Sequence, residues 1–218
     1  MIFQDRSEAG KLLARELAEF RGRKDVLLLA LPRGGVSVGY EIAKSLGAPL
    51  DVLVVRKIGL PYCPEMAIGA LTFDGIEMLS TEALSDLDVS ASDLRRVIEA
   101  EREELDRRER IFRKNRPPLD ARGKTVILVD DGLATGQSMR AAIACVCRHQ
   151  PGEIVIAVPV GAPGSCQTLA ESVSRVICLS KPFYFKAVGA FYRDFHQVTD
   201  EEAIGLLQKA DAIHSHSL

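Results

Sequence analysis

Short apolar runs separated by loops and helical patterns constrain this chain more than any other feature. They are Val26 to Leu31, Leu50 to Val55, Val126 to Val129, Val155 to Val158 and Val176 to Leu179. Runs of this length that do not alternate with polar residues predict strands buried on both faces. Helical periodicity falls between them, over 6–20 (Leu12, Leu13, Leu17, Phe20), over 36–46 and from Gln137 onward. Thr199-Asp200-Glu201-Glu202 is a capping box that opens a last helix, because its ends satisfy free backbone donors reciprocally. The alternation predicts an α/β fold, a mostly parallel central sheet flanked by helices. In such sheets ligands bind at the carboxyl ends of the strands, where the strand order reverses. Function is therefore expected in the residues that follow the strands.

A chain of 218 residues fits one domain, 1–218. With 28 basic and 30 acidic side chains the balance argues against a nucleic-acid coat protein, which needs a basic excess. No apolar run approaches the ~20 residues that span a bilayer, and the opening Met1-Ile2-Phe3-Gln4-Asp5-Arg6 lacks the apolar core of a signal peptide. A cytoplasmic location and reduced cysteines are expected. The five cysteines include no CxxC, and Cys145 and Cys147 point to opposite sides of their helix, so no metal site is predicted from them.

Two segments interrupt the alternation. Residues 58–67 read as a loop, with Gly59, Pro61 and Pro64 as breakers, and Asp74-Gly75 marks a tight hairpin turn, so 58–79 is expected to be a flexible loop and hairpin. Residues 80–116 form a helical insertion. Over 92–116 arginines (95, 96, 102, 107, 108, 110, 113) mix with glutamates (99, 101, 103, 104, 109) at helical spacing. This predicts a solvated helix laced with ion pairs; the interleaved acids argue against a basic RNA-binding arm. Such a helix is about 35 Å long, enough to reach a neighbouring subunit in a homo-oligomer.

The strongest chemical signal is Val126-Ile127-Leu128-Val129-Asp130-Asp131-Gly132-Leu133-Ala134-Thr135-Gly136-Gln137-Ser138. A buried strand ends in two carboxylates, and a short loop with Thr and Gly leads into a helix. The loop offers backbone N–H groups and hydroxyls at a helix N-terminus, a site for phosphate. Carboxylates beside a phosphate site have two natural uses, binding sugar hydroxyls and holding Mg²⁺. Together these describe a site for a phosphorylated sugar.

This stretch resembles the phosphoribosyl-pyrophosphate (PRPP) signature of the type I phosphoribosyltransferases, an apolar strand followed by Asp-Asp-x-x-x-Thr-Gly. The resemblance implies that Asp130 and Asp131 contact the ribose hydroxyls and act as the catalytic acids. It implies that Leu133, Ala134, Thr135, Gly136, Gln137 and Ser138 hold the 5′-phosphate. Leu31-Pro32-Arg33-Gly34-Gly35 lies where the family has its pyrophosphate loop; glycines admit an anion closely and Arg33 adds a fixed charge. Arg56-Lys57-Ile58-Gly59-Leu60-Pro61 looks like the start of the family's flexible loop, with Tyr62 and Glu65 where a lid would be. Arg56 and Lys57 would suit a diphosphate leaving group. Residues 181–196, with Phe183 to Phe195, lie where the family has its small base-recognising hood. Mg²⁺ is expected to travel with PRPP, met by Asp130 or Asp131 through water. Family members acting on 6-oxopurines carry an Asp before the Thr-Gly; Ala134 stands there, which leaves adenine, a pyrimidine or another acceptor.

Other readings compete. A non-catalytic PRPP or nucleotide sensor on the same fold would retain the phosphate loop. Gly35-Val36-Ser37-Val38-Gly39 matches a hydrolase nucleophile elbow, with Asp194 and His196 in the matching order, but Ser37 follows its strand too late for the sharp turn an elbow requires. Gly123-Lys124-Thr125 precedes its strand, and so cannot form a P-loop.

Overall fold

The computed structural model describes residues 1–72, 75, 77–79, 90–113 and 116–215. Five parallel strands form the central sheet: β1 (Val26–Ala30), β2 (Leu50–Val52), β6 (Thr125–Val129), β7 (Glu153–Val160) and β8 (Arg175–Ser180). Their order is β2-β1-β6-β7-β8, every neighbouring pair parallel. The chain runs outward from β1 to β2, then returns to the other side of β1 as β6. The strand order therefore reverses between β1 and β6.

The apolar runs are buried because each strand feeds two cores. Leu28, Ala30, Ile127 and Val129 face one side, where α1 (Arg6–Glu16), α2 (Gly34–Leu46) and α6 (Asp200–Ser215) supply Leu13, Ile42, Ala203 and Leu207. Leu29, Val126, Leu128 and Ile156 face the other, covered by α4 (Gln137–Arg148) and α5 (Pro163–Ala170) through Met139, Val146 and Leu169. Burying each such side chain contributes about 1.5–3 kcal/mol, and Leu128→Ala would leave a cavity costing about 3 kcal/mol. The capping box forms as expected: the Thr199 amide donates to Glu202 at 2.8 Å and the Glu202 amide to Thr199 Oγ1 at 3.1 Å.

The expected loop at 58–67 is a strand pair instead. β3 (Val55–Leu60) and β4 (Cys63–Thr72) are antiparallel, and β5 (Glu77–Leu79) adds a third strand. The breakers have positional roles here. Pro61 occupies the turn, where its missing N–H costs no ladder bond, and Gly59 sits at a register shift. Gly75 has φ +80°, as a tight turn requires, while Asp74 lies outside the described residues. Arg56 and Lys57 consequently lie within β3 rather than at the end of β2.

Within the expected insertion at 80–116, α3 spans Ala91–Arg113, while 80–89, 114 and 115 lie outside the described residues. It is not solvated all round. Leu105 and Phe112 are buried, and Leu94, Val97 and Ile98 pack against the core. No described helix is long and apolar enough to cross a membrane.

Candidate active site

The carboxyl ends of β1 and β6 meet where the strand order reverses. The turn after β1 (Pro32-Arg33-Gly34-Gly35, with a cis Pro32–Arg33 bond) lies directly against the acids after β6. A Cβ on Gly35 would stand 2.7 Å from the Val129 carbonyl oxygen, and one on Gly34 would overlap the Asp131 carboxylate. Both glycines are therefore required by close packing. The Gly35 amide donates to the Leu31 carbonyl at 3.1 Å, which corrects its expected role as a pyrophosphate donor: that hydrogen is already engaged.

The acids are strongly perturbed. Burial pushes the Asp130 carboxyl well up and the adjacent Asp131 charge adds to it, while Arg6 and Lys57 pull the other way. Burial also raises Asp131, against the opposing charge of Arg6. Asp130 accepts the Asp131 amide at 2.8 Å. Arg6 is the residue at this site that the sequence reading left without a role. Its Nε lies 2.7 Å from Asp131 Oδ2, its Nη1 donates to the His196 carbonyl at 2.9 Å, and its guanidinium sits 3.9 Å from the Phe195 ring centre. It joins the N-terminus, the acid pair and the segment 183–196 in one contact.

The loop after the acids opens α4 as expected, with one correction. The Leu133 amide donates to Val160 at 2.8 Å and its carbonyl accepts from Ala162 at 2.8 Å. Leu133 is thus a buried bridge, not a phosphate donor. Ala134 and Thr135 are exposed, and Gly136 caps the helix at φ +76° with no side-chain cap. First-turn amides of a helix have no partner four residues back, so the start of α4 at Gln137 and Ser138 presents donors to an anion. Ser165 Oγ donates to the Ala134 carbonyl at 2.6 Å and so steadies the loop from α5.

Arg56, Lys57, Pro32 and Ser138 line one cleft of about 510 Å³. Adjacent residues of a strand face opposite ways. Arg56 pairs with Glu101 of α3 (2.6 Å), whereas the Lys57 charge is felt by Asp130. Arg33 turns elsewhere, with Nη1 3.8 Å from Asp200 at the start of α6. The expected pyrophosphate set is therefore divided, with Arg56 and Lys57 in the cleft beside Ser138 and Arg33 against α6. Tyr62, at the β3–β4 turn, donates to Asp93 of α3 at 3.1 Å; the Glu65 side chain lies outside the described residues.

The segment 183–196 pairs with the N-terminus: the Phe3 amide donates to Phe191 at 2.8 Å and the Arg193 amide to Phe3 at 2.9 Å. Tyr192 donates to the Asp131 carbonyl at 2.6 Å, and burial raises its phenol. Gly132 lets this segment dock, since a Cβ there would overlap Val188. Phe183 and Tyr184 are exposed. Ser37 lies in the first turns of α2, not on an elbow. Both nitrogens of His196 face carboxylates, Nδ1 at 3.4 Å from Asp194 and Nε2 at 3.7 Å from Glu202, so neither is turned to Ser37. The hydrolase reading gives way on that geometry. Among the described residues no cluster of three or more His, Cys, Asp or Glu could hold a metal by protein ligands alone.

A doubly wound sheet with paired acids and a helix start at its switch point defines a class, the open α/β sheet proteins, whose ligand crevices lie at the carboxyl ends of the strands. The chain belongs to the phosphoribosyl transferase domain family, which its residues 74–193 match. It is similar to a Mycobacterium tuberculosis protein provisionally named a phosphoribosyl transferase, at 42% identity over 96% of this chain. The chain spans 47% of that relative's length. The crystal structure of TT1426 from Thermus thermophilus shares 44% identity at a TM-score of 0.81, covering 96% of this chain and 99% of that one. The AQ2163 protein of Aquifex aeolicus, at 12% identity and TM-score 0.51 over 81% of this chain and 73% of that one, shares the fold.

Proposed function

We propose that the chain transfers ribose 5-phosphate from PRPP to a nucleobase-like acceptor and releases pyrophosphate. The observation that carries this reading is the meeting of Asp131 with Gly34 and of Asp130 with Gly35 at the switch point, next to a helix start with no side-chain cap. The loop 134–138 binds the 5′-phosphate, and the acids bind the ribose hydroxyls, which fixes the sugar for in-line attack. The acceptor nitrogen bonds to C1 as the C1–oxygen bond to the diphosphate breaks, and the acceptor's proton leaves to solvent. Charge developing on the diphosphate is stabilised by Arg56 and Lys57 in the cleft. Asp130 or Asp131 would hold, through water, the Mg²⁺ that accompanies PRPP, and that ion would neutralise further charge on the diphosphate; a site with few protein ligands suits this hard, hydrated ion. Tyr192, bonded to the Asp131 carbonyl and packed on Phe195, ties the segment 183–196 to the acid pair, the side from which an acceptor would approach. Ala134 favours acceptors other than 6-oxopurines.

Pyrophosphate release from PRPP, assayed across adenine, pyrimidine and 6-oxopurine bases with Mg²⁺, tests the assignment. Release that depends on one base, and that drops at least ~10-fold in Asp131→Asn, about 1.4 kcal/mol, is expected. PRPP binding with no release for any base would instead favour a sensor.

A further inference from the structure

The long charged helix α3 forms the outer wall of the cleft that holds Arg56 and Lys57. Val97, Glu101 and Arg108 line that cleft together with Arg56, Lys57 and Ser138. Residues 97, 101, 104 and 108 recur at helical spacing and so share one face of α3. Glu101 occupies Arg56 completely on one edge: Oε2 accepts Nε at 2.7 Å and Nη2 at 2.6 Å. Arg108 is held at the cleft by Glu104, 2.8 Å from its Nε. Both ends of the helix are fixed to the body. Asp93 accepts from Tyr62 at the β3–β4 turn, and Arg113 donates to Asp51 of β2 at 3.0 Å. The middle of α3 is thereby presented to the cleft by two anchored ends.

A carboxylate in a cleft for a multiply charged anion raises the cost of binding, unless it leaves when the anion arrives. We infer that Glu101 stands in for the diphosphate on Arg56 in the empty cleft and is exchanged for it, and that Arg108 is a diphosphate contact supplied by α3. This rests on the transferase reading above. The exchange gives the cleft a selectivity that the Arg56-Lys57 pair alone would lack. A single phosphate group, such as that of ribose 5-phosphate at about −1.5 to −2 charge, reaches too few of these cations to displace Glu101, whereas a diphosphate carries more charge over a longer span and engages Arg56, Lys57 and Arg108 together.

The test is calorimetric titration of inorganic pyrophosphate with Mg²⁺ into the full chain and three variants. Glu101→Gln should bind pyrophosphate ~3–10-fold more tightly, because the competing charge is gone while the side-chain shape remains. Arg108→Ala should bind it about tenfold more weakly, the usual cost of one charge-assisted contact. Glu103→Gln, exposed on the same helix, removes an equal charge that does not line the cleft and should change little. A purely structural Glu101 would instead weaken binding on substitution, with a lower melting temperature recorded in the same sample. Unchanged or weaker binding in Glu101→Gln, or equal tightening in Glu103→Gln, overturns the exchange while leaving the transferase reading intact. If the unaltered chain binds neither pyrophosphate nor PRPP, the transferase reading falls and this inference with it.

Discussion

Arg6 Nε lies 2.7 Å from Asp131 Oδ2, across 125 residues of sequence. The pair ties the first helix to the end of β6 and supplies the charge that a buried carboxylate needs. Its side chains are 8% and 16% exposed, so solvent screens it weakly. Removing Arg6 would leave Asp131 buried without its counter-charge. Arg6→Ala is expected to cost about 3 kcal/mol in chemical denaturation. The double variant Arg6→Ala/Asp131→Asn should recover a large part of that loss. A cycle with no coupling would show that the pair is not a stabilising unit.

Asp130 is buried as well, and its neighbour's charge adds to the cost. Burial and its neighbour's charge raise its folded-state pKa, so the folded protein favours the neutral form. A raised carboxyl binds more protons folded than unfolded. Its favourable contribution is present below the unfolded-state value and is lost as pH rises through the folded value. Asp130→Asn should therefore raise the melting temperature at pH 7 and flatten its decline between acid and neutral pH. PRPP binding should weaken in the same variant. A melting temperature at pH 7 equal to or below that of the unaltered chain would contradict the assignment of Asp130 as a strained functional acid.

The proposed phosphate loop, 134–138, is steadied by a contact from outside its motif. Ser165 Oγ donates to the Ala134 carbonyl at 2.6 Å. Ser165→Ala should cost about 1 kcal/mol of stability and raise the PRPP KM several-fold with kcat little changed, since the loop is loosened but its donors remain. Steady-state kinetics separate the two parameters. A fall in kcat alone would argue against a positioning role.

Gly34 can be tested the same way. A methyl group there must displace the Asp131 carboxylate that Arg6 holds. Gly34→Ala is expected to lose about 1–3 kcal/mol and most PRPP affinity. Retained affinity would mean the carboxylate can move freely.

The central sheet was legible because its strands are buried on both faces and so appear as unbroken apolar runs, Val126 to Val129 most clearly. Asp130 and Asp131 were legible as adjacent acids at a strand end. Arg6 was not, since its partner lies far along the chain and no local pattern marks the pair. Residues 58–67, the end of β3 and the start of β4, read as a loop because Gly59 and Pro61 normally break strands; at a register shift and a turn they do not. The docked face of α3 was hidden for another reason. Glu101 and Arg108 fall on one helical face, but their charges imitate a solvated surface, and only the nearby Arg56 shows that they face a cleft. Leu133 and Gly35 fell within motif-like stretches, yet their amides are engaged by the backbone.

The most direct test of the account is the heat of binding of PRPP in the presence of Mg²⁺, set beside that of ribose 5-phosphate. The two ligands share the sugar and 5′-phosphate and differ in the diphosphate, so the comparison separates the loop 134–138 from the Arg56-Lys57 cleft. Tight binding of PRPP that requires Mg²⁺ and exceeds that of ribose 5-phosphate by at least ~100-fold, about 2.7 kcal/mol, is the predicted result. Equal binding of the two would contradict the proposed diphosphate cleft, and binding of neither would contradict the PRPP site as a whole.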